Sequence, residues 1–343
     1  MVTSATATPP RALGRARIAS IAGYVPPRVL TNADLEKMVE TTDAWIMQRV
    51  GIRERHIVDP GVATSDLAKE ASLVALERAG RTPADIDFII VATTTPDTLF
   101  PSTACVLQSK IGARGAWGYD LIAACSGFTY ALTTASQMVA SGASRRALVV
   151  GADVMSSIID YTDRTTCVLF GDGAGAVVVE ASDDDRIGIL DFEHYIDGSG
   201  GPALCMPAGG SRMPASHETV EKRLHYVKQD GQTVFKFAVR NMEEVCRRIL
   251  ERNGLEGSDI DLFVPHQASS RIILAAAEKL AFPREKVMIN IDRLGNTTAG
   301  TIPLALNDAF EGGRLKRGDL VLMAAVGAGF TVGAVLVRWG SGN

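Results

Sequence analysis

The sequence predicts an α/β protein built from two similar halves, each a sheet covered by helices. Three observations carry this. Strand-length apolar runs alternate with helix-length amphipathic segments. A strand motif recurs, Asp85-Ile-Asp-Phe-Ile-Ile-Val and Asp259-Ile-Asp-Leu-Phe-Val, with an offset of 174 residues, about half of the 343-residue chain. Each half also closes on a Gly-rich turn running into a β-branched strand, Phe170-Gly-Asp-Gly-Ala-Gly-Ala-Val-Val-Val and Val326-Gly-Ala-Gly-Phe-Thr-Val-Gly-Ala-Val-Leu-Val.

Along the chain, Met1–Arg17 contains Ala, Thr, Pro and Arg without an apolar signal core and is read as a frayed tail. The first half spans 18–183. In it, Asp66–Gly80 is amphipathic and ends in Gly, Asp120–Ala123 can be a strand, Ser126–Ala140 is a helix and Ala147–Val150 a buried strand. The link near Ala181–Arg186 is polar and reads as a solvated turn. In the second half, 184–343, Phe235–Gly254 echoes the first amphipathic helix, Arg271–Leu280 and Thr301–Phe310 are helices, and Leu320–Ala325 is a buried strand.

Composition narrows the function classes. With 46% hydrophobic and 22% charged residues the chain is ordinary for a globular protein, and 33 glycines against 6% aromatics suit close packing of helices on sheets. A net charge of −4 provides no broad basic footprint, which argues against nucleic acid as a partner, although local basic clusters could hold an acidic one. No apolar run reaches the ~20 residues that span a bilayer. Five cysteines at wide spacings, with no CxxC, argue against a disulfide framework or structural zinc and for a reduced, cytoplasmic setting.

Cys125 stands out, in Tyr119-Asp-Leu-Ile-Ala-Ala-Cys-Ser-Gly-Phe, at a strand-to-helix turn. A helix start favours the thiolate and is expected to lower the thiol pKa. Gly127 lets a substrate or neighbouring backbone approach. The alternative is a buried, inert thiol, the reading given to Cys105, Cys167, Cys205 and Cys246. A nucleophilic cysteine usually needs an imidazole. Of five histidines, His266 ends the second-half strand in Leu262-Phe-Val-Pro-His-Gln, and strand ends are where α/β proteins place their sites. His217 and His225 read as surface residues, and His56 as packing or solvated. Asn296, in Leu294-Gly-Asn-Thr-Thr, falls by the repeat in the neighbourhood of Cys125. A pseudo-twofold arrangement would bring it close, whereas a helix cap or turn residue is its ordinary role.

These residues, with Thr42-Asp-Ala-Trp-Ile, Arg49-Val-Gly-Ile-Arg-Glu-Arg, Ala124-Cys-Ser-Gly-Phe, Phe170-Gly-Asp-Gly-Ala-Gly-Ala, Pro265-His-Gln-Ala and Gly295-Asn-Thr, resemble the ketoacyl-acyl-carrier-protein synthase III family. The resemblance runs over essentially the whole chain after the tail. It implies a thiolase-like fold in αβαβα layers and a Cys125–His266–Asn296 triad. It also implies oxyanion-hole amides at Cys125 and Ala328, where the family usually has Gly. Coenzyme A contacts are implied at Trp45, Arg49 and Arg164, with the adenine between Trp45 and Arg164, and carrier-protein docking over Gln267, Ala268, Ser269, Ser270 and Arg271. Phe100 is implied at the dimer contact bordering the acyl pocket. Where the family commonly has Asn, Ser269 is shorter and weakens an expected contact to the pantetheine arm.

The implied reaction joins an acyl-coenzyme A primer, with acetyl the first choice, to malonyl-acyl carrier protein. It releases carbon dioxide and coenzyme A and needs no metal or other cofactor, since the thioesters are substrates. A homodimer is implied. A thiolase-fold acyltransferase or polyketide-priming enzyme, a Cys–His–Asn hydrolase and a non-catalytic scaffold stay open. The Gly-rich Phe170–Ala176 lacks the Lys-Ser/Thr of a phosphate loop and reads as a structural turn under the site.

Overall fold

The structure is a computed structural model that describes residues 14–341. The assigned tail is shorter than expected. Strand β1 (Ala16–Tyr24) starts inside it, because Ala16 and Ile18 are buried and pair into a sheet, while residues 1–13 lie outside the described residues.

A short helix α1 (Asp43–Arg49) precedes the first layered unit: α2 (Thr64–Arg78), β2 (Phe88–Ala92), α3 (Thr103–Ile111), β3 (Trp117–Leu121), α4 (Gly127–Ala140), β4 (Arg146–Val154) and β5 (Asp172–Ala181). The second unit is β6 (Gly188–Ile196), α5 (Gly231–Arg252), β7 (Leu262–Pro265), α6 (Ser270–Lys279), α7 (Thr301–Glu311), β8 (Leu320–Gly327) and β9 (Thr331–Arg338).

The first sheet runs in the order β1-β5-β4-β2-β3, with β2 parallel to both β4 and β3. The second runs β7-β8-β9-β6, with β7 parallel to β8 and the other pairs antiparallel. The counterpart of β3 is reduced to a single bridge, Phe263 with Val287.

The apolar runs are continuous because both sheet faces are covered. In β2, Phe88, Ile90 and Ala92 pack inward with α4 and α7, while Ile89 and Val91 pack outward under α2 and α3. In β8, Val321, Met323 and Ala325 share that inner core, whereas Leu320, Leu322 and Ala324 face α5 and α6. Two helices lie between two sheets and further helices cover each outer face, giving the five αβαβα layers expected. No described helix is long and apolar enough to cross a membrane.

Candidate active site

Cys125 sits in a tight turn, Ala124–Ser126, between β3 and α4. Ala124 takes a positive φ of 46°, a costly conformation for a residue with a Cβ. It sets the nucleophile at the start of α4. The Thr331 hydroxyl lies 2.8 Å from Ala123 O and 3.3 Å from Ala328 O, tying the approach to Cys125 to the turn after β8. Gly327 ends β8 against this turn, where a Cβ would stand 2.7 Å from the Cys125 nitrogen.

His266 follows β7 and is almost fully buried. Its Nδ1 lies 2.6 Å from the Thr301 hydroxyl, which is also 3.0 Å from Thr298 O. One hydroxyl proton cannot serve both partners. When it goes to Thr298 O, Nδ1–H donates and Nε2 is an acceptor; when it turns to Nδ1, Nε2–H becomes a donor. Burial pushes the imidazole pKa down to about 3, so His266 is neutral near pH 7.

Asn296 Oδ1 accepts the Thr298 N–H at 2.9 Å, which leaves its NH₂ to donate toward the cavity. The ordinary turn role and the functional one thus coincide in this residue. The repeat places Ala299, rather than Asn296, at the position equivalent to Cys125: the turn Thr298–Gly300 matches Ala124–Ser126 at the same offset of 174 residues.

Cys125, His266 and Asn296 line one cavity of about 590 Å3, whose walls are largely apolar and include Leu169, Phe235, Val326 and Phe330. Trp45, Arg49, Ala268, Ser269 and Arg271 line it too. Arg164 is exposed, and its guanidinium lies 5.4 Å from the Trp45 ring centre, with Arg49 at 5.8 Å. A base between indole and guanidinium requires about 7 Å, two van der Waals contacts, so Arg164 must swing outward to admit one. Arg271 is exposed and lies 5.3 Å over Phe235, whose neighbour in sequence, Lys236, is also exposed.

Several expectations are corrected. Burial and the nearby Asp153 carboxylate push the Cys125 thiol up to about 12, against the lowering expected at a helix start. Gln267 is buried, and its side chain bonds Pro265 O, Met288 O and the Asn290 N–H, so it presents no amide for docking. Phe100 is 85% exposed and does not line the cavity in the single chain. Ala328 lies one residue past the lining Gly327. Cys105 is exposed and Cys205 half-exposed, whereas Cys167 and Cys246 are buried as expected. The Ser269 hydroxyl accepts the Arg271 N–H at the start of α6, a local cap that its short side chain permits.

The sequence reading missed three contributors. Thr301 orients His266, and Asp153 lies buried below the cavity. Arg55 is fully buried, and its NH2 bonds Val168 O next to the lining Leu169. The Thr-rich strings at 93–95 and 297–301 were the only signal for the first two. Among the described residues no group of three or more His, Cys, Asp or Glu is placed to hold a metal.

Known proteins share this chain's sequence and fold. Residues 119–198 match the family described as 3-oxoacyl-[acyl-carrier-protein (ACP)] synthase III, and 250–339 match its C-terminal part. A beta-ketoacyl-[acyl-carrier-protein] synthase III of Solibacter usitatus is 62% identical over 95% of this chain and 99% of its own. The crystal structure of 3-oxoacyl-[acyl-carrier-protein] synthase III from Aquifex aeolicus superposes with a TM-score of 0.87 at 46% identity, over 94% of this chain and all of that one. The priming beta-ketosynthase of the R1128 polyketide pathway gives 0.88 at 35% identity, over 96% of this chain and 97% of that one.

Proposed function

The chain belongs to the 3-oxoacyl-[acyl-carrier-protein] synthase III family of thiolase-fold acyltransferases, and from that premise we propose that it catalyses the decarboxylative condensation of an acyl-coenzyme A with malonyl-acyl carrier protein, starting fatty acid synthesis. The convergence of Cys125, His266 and Asn296 on one apolar cavity carries the reading.

In the first half-reaction, the Cys125 proton passes to the lone pair of His266 Nε2 as sulfur attacks the acyl thioester carbonyl. The oxyanion is held at the N–H groups of Cys125 and Ala328. Collapse expels coenzyme A, which takes that proton. In the second, malonyl thioester loses carbon dioxide, and the electron pair of the broken C–C bond becomes an enolate. Its oxygen is held by His266 Nε2–H and the Asn296 NH₂. The enolate carbon attacks acyl-Cys125; the C–C bond forms, the C–S bond breaks, and the Cys125 thiolate takes a proton from solvent. His266 must accept in the first stage and donate in the second, so between the stages it gives up its Nδ1 proton and takes one at Nε2 by exchange with solvent, and the Thr301 hydroxyl can turn to suit either tautomer.

Trp45, Arg49 and Arg164 would hold coenzyme A, with Arg164 swinging to admit the adenine. Arg271 at the cavity, with exposed Lys236 next to its stacking partner Phe235, suits an acidic carrier protein. The exposed Leu99, Phe100, Trp117 and Ile122 lie on and beside edge strand β3 and fit a homodimer, in which Phe100 would border the partner's acyl pocket. Acetyl-coenzyme A is the proposed primer, and the free thiols fit a cytoplasmic setting. The likeness to a priming polyketide synthase favours a second reading in which the same chemistry starts a secondary metabolite.

The test is carbon dioxide release and product mass from malonyl-carrier protein with a panel of acyl-coenzyme A primers. Primer-dependent release with a 3-ketoacyl product is expected. In the same assay Asn296→Ala should leave self-acylation largely intact and lower carbon dioxide release by about 10²-fold or more. Acylated Cys125 with no carbon dioxide would instead leave a simple acyltransferase.

A further inference from the structure

The two halves keep one register through their sheets and the turns above them. A shift of 174 residues carries Val91 paired with Val150 onto Pro265 paired with Ala324, and the Cys125 turn onto the Ala299 turn. Both turns are entered through a non-glycine residue of positive φ, Ala124 at 46° and Thr298 at 52°. The same shift carries Asp153 onto Gly327. At Gly327 the missing side chain keeps the space beside the Cys125 nitrogen clear, since a Cβ would come within 2.7 Å of it. At Asp153 the side chain is present, and its Oδ2 accepts the Ala299 N–H at 3.0 Å. One half keeps the strand-end space beside its turn amide clear; the other fills it with the chain's own carboxylate.

Asp153 is fully buried. Its Oδ1 accepts the N–H groups of Thr94 (2.7 Å) and Thr95 (3.1 Å) and the hydroxyls of Thr93, Thr94 and Thr95. It therefore clamps the loop after β2 to the Thr298–Gly300 turn. That turn bears both partners of the nucleophile. The Thr298 N–H holds Asn296 Oδ1, and Thr298 O meets the Thr301 hydroxyl that touches His266 Nδ1.

We propose that Asp153 is a positioning residue that fills the counterpart of the nucleophile's amide pocket, fixing the Thr298–Gly300 turn and through it the aim of Asn296 and His266. This rests on the proposed division of labour, in which His266 serves both half-reactions and Asn296 serves decarboxylation alone.

The test is Asp153→Asn. The amide oxygen stays with the two backbone N–H groups and the hydroxyls at one end, so the NH₂ is set against the Ala299 N–H and the clamp opens. Hydrogen exchange at Thr298–Gly300 should quicken. Carbon dioxide release should fall about 10²-fold, the scale of a small misplacement of reacting groups. Self-acylation of Cys125 should fall much less than carbon dioxide release, because Asn296 serves only the second half-reaction and removing the Asp153 charge eases thiol ionisation. Asp153→Ser, whose shorter side chain cannot bridge the two loops, should show the same split and serves if the first variant does not fold. Unchanged exchange, or a parallel loss of both half-reactions, overturns the proposal. Asn296→Ala run alongside separates the two ideas. If it spares carbon dioxide release, the division of labour fails, and exchange at Thr298–Gly300 alone decides for or against the clamp.

Discussion

Cys125 and His266 owe their states to burial more than to charge. Each is enclosed by apolar walls, which disfavours whichever form is charged: the thiol is pushed up to about 12 and the imidazole down to about 3. The resting pair is therefore thiol and neutral imidazole, and proton transfer accompanies attack rather than preceding it. The consequence is measurable by alkylation with iodoacetamide. The Cys125 rate should rise about 100-fold between pH 8 and pH 10, against about fourfold for a free thiol of pKa about 8.5. A plateau by pH 8 would show a preformed thiolate and remove this account. The helix start singled out Cys125 in the sequence, but the enclosure that dominates its ionisation comes from residues far away in the chain.

Strands and helices were legible because each has a plain period. The runs at Phe88–Ala92 and Leu320–Gly327 are uninterrupted and apolar, as strands covered on both faces must be. Boundaries moved by a few residues, most at α5, which starts at Gly231 under an Asp230 cap rather than at Phe235. Glycine carries more at the strand ends than composition can reveal. At Gly327 a methyl group would stand 2.7 Å from both the Cys125 nitrogen and the Thr331 hydroxyl. Gly327→Ala is expected to lower self-acylation by about 10²–10³-fold, the scale of a lost oxyanion donor. The cost in stability should stay within the 1–3 kcal/mol typical of overpacking, roughly. Intact-mass acylation kinetics beside a thermal melt separate the two effects, and wild-type acylation would show that the strand end yields.

At the scale of the whole molecule, edge strand β3 is also the one left half-exposed along its whole length among the first sheet's described strands. Strand β3 pairs only with β2, Ile122 just after it is 75% exposed, and Leu99 and Phe100 in the loop after β2 are each 85% exposed. An open, apolar edge is a pairing surface. Leu99→Asp with Ile122→Glu should convert a dimer into monomers in sedimentation velocity, with loss of condensation if Phe100 borders the partner's pocket. A wild-type protein that sediments as a monomer would refute the pairing. The stacking of Arg271 on Phe235 at the cavity is likewise a property of the assembled chain, since the two residues come from different helices.

The sequence by itself determined the two-half α/β architecture and singled out Cys125, His266 and Asn296, which the fold brings to one cavity, because periodicity and a strand-to-helix turn are local facts and the family strings point to the same three residues. Tertiary structure decided the rest. It buried Gln267 that a linear reading placed on the surface, exposed Cys105 that the same reading placed in the core, and set Thr301 against His266 and Asp153 against Ala299. Those relations span 35 and 146 residues of chain. They follow from two sheets packing their helices face to face, and a linear pattern records which residues are apolar but not which buried polar groups will meet.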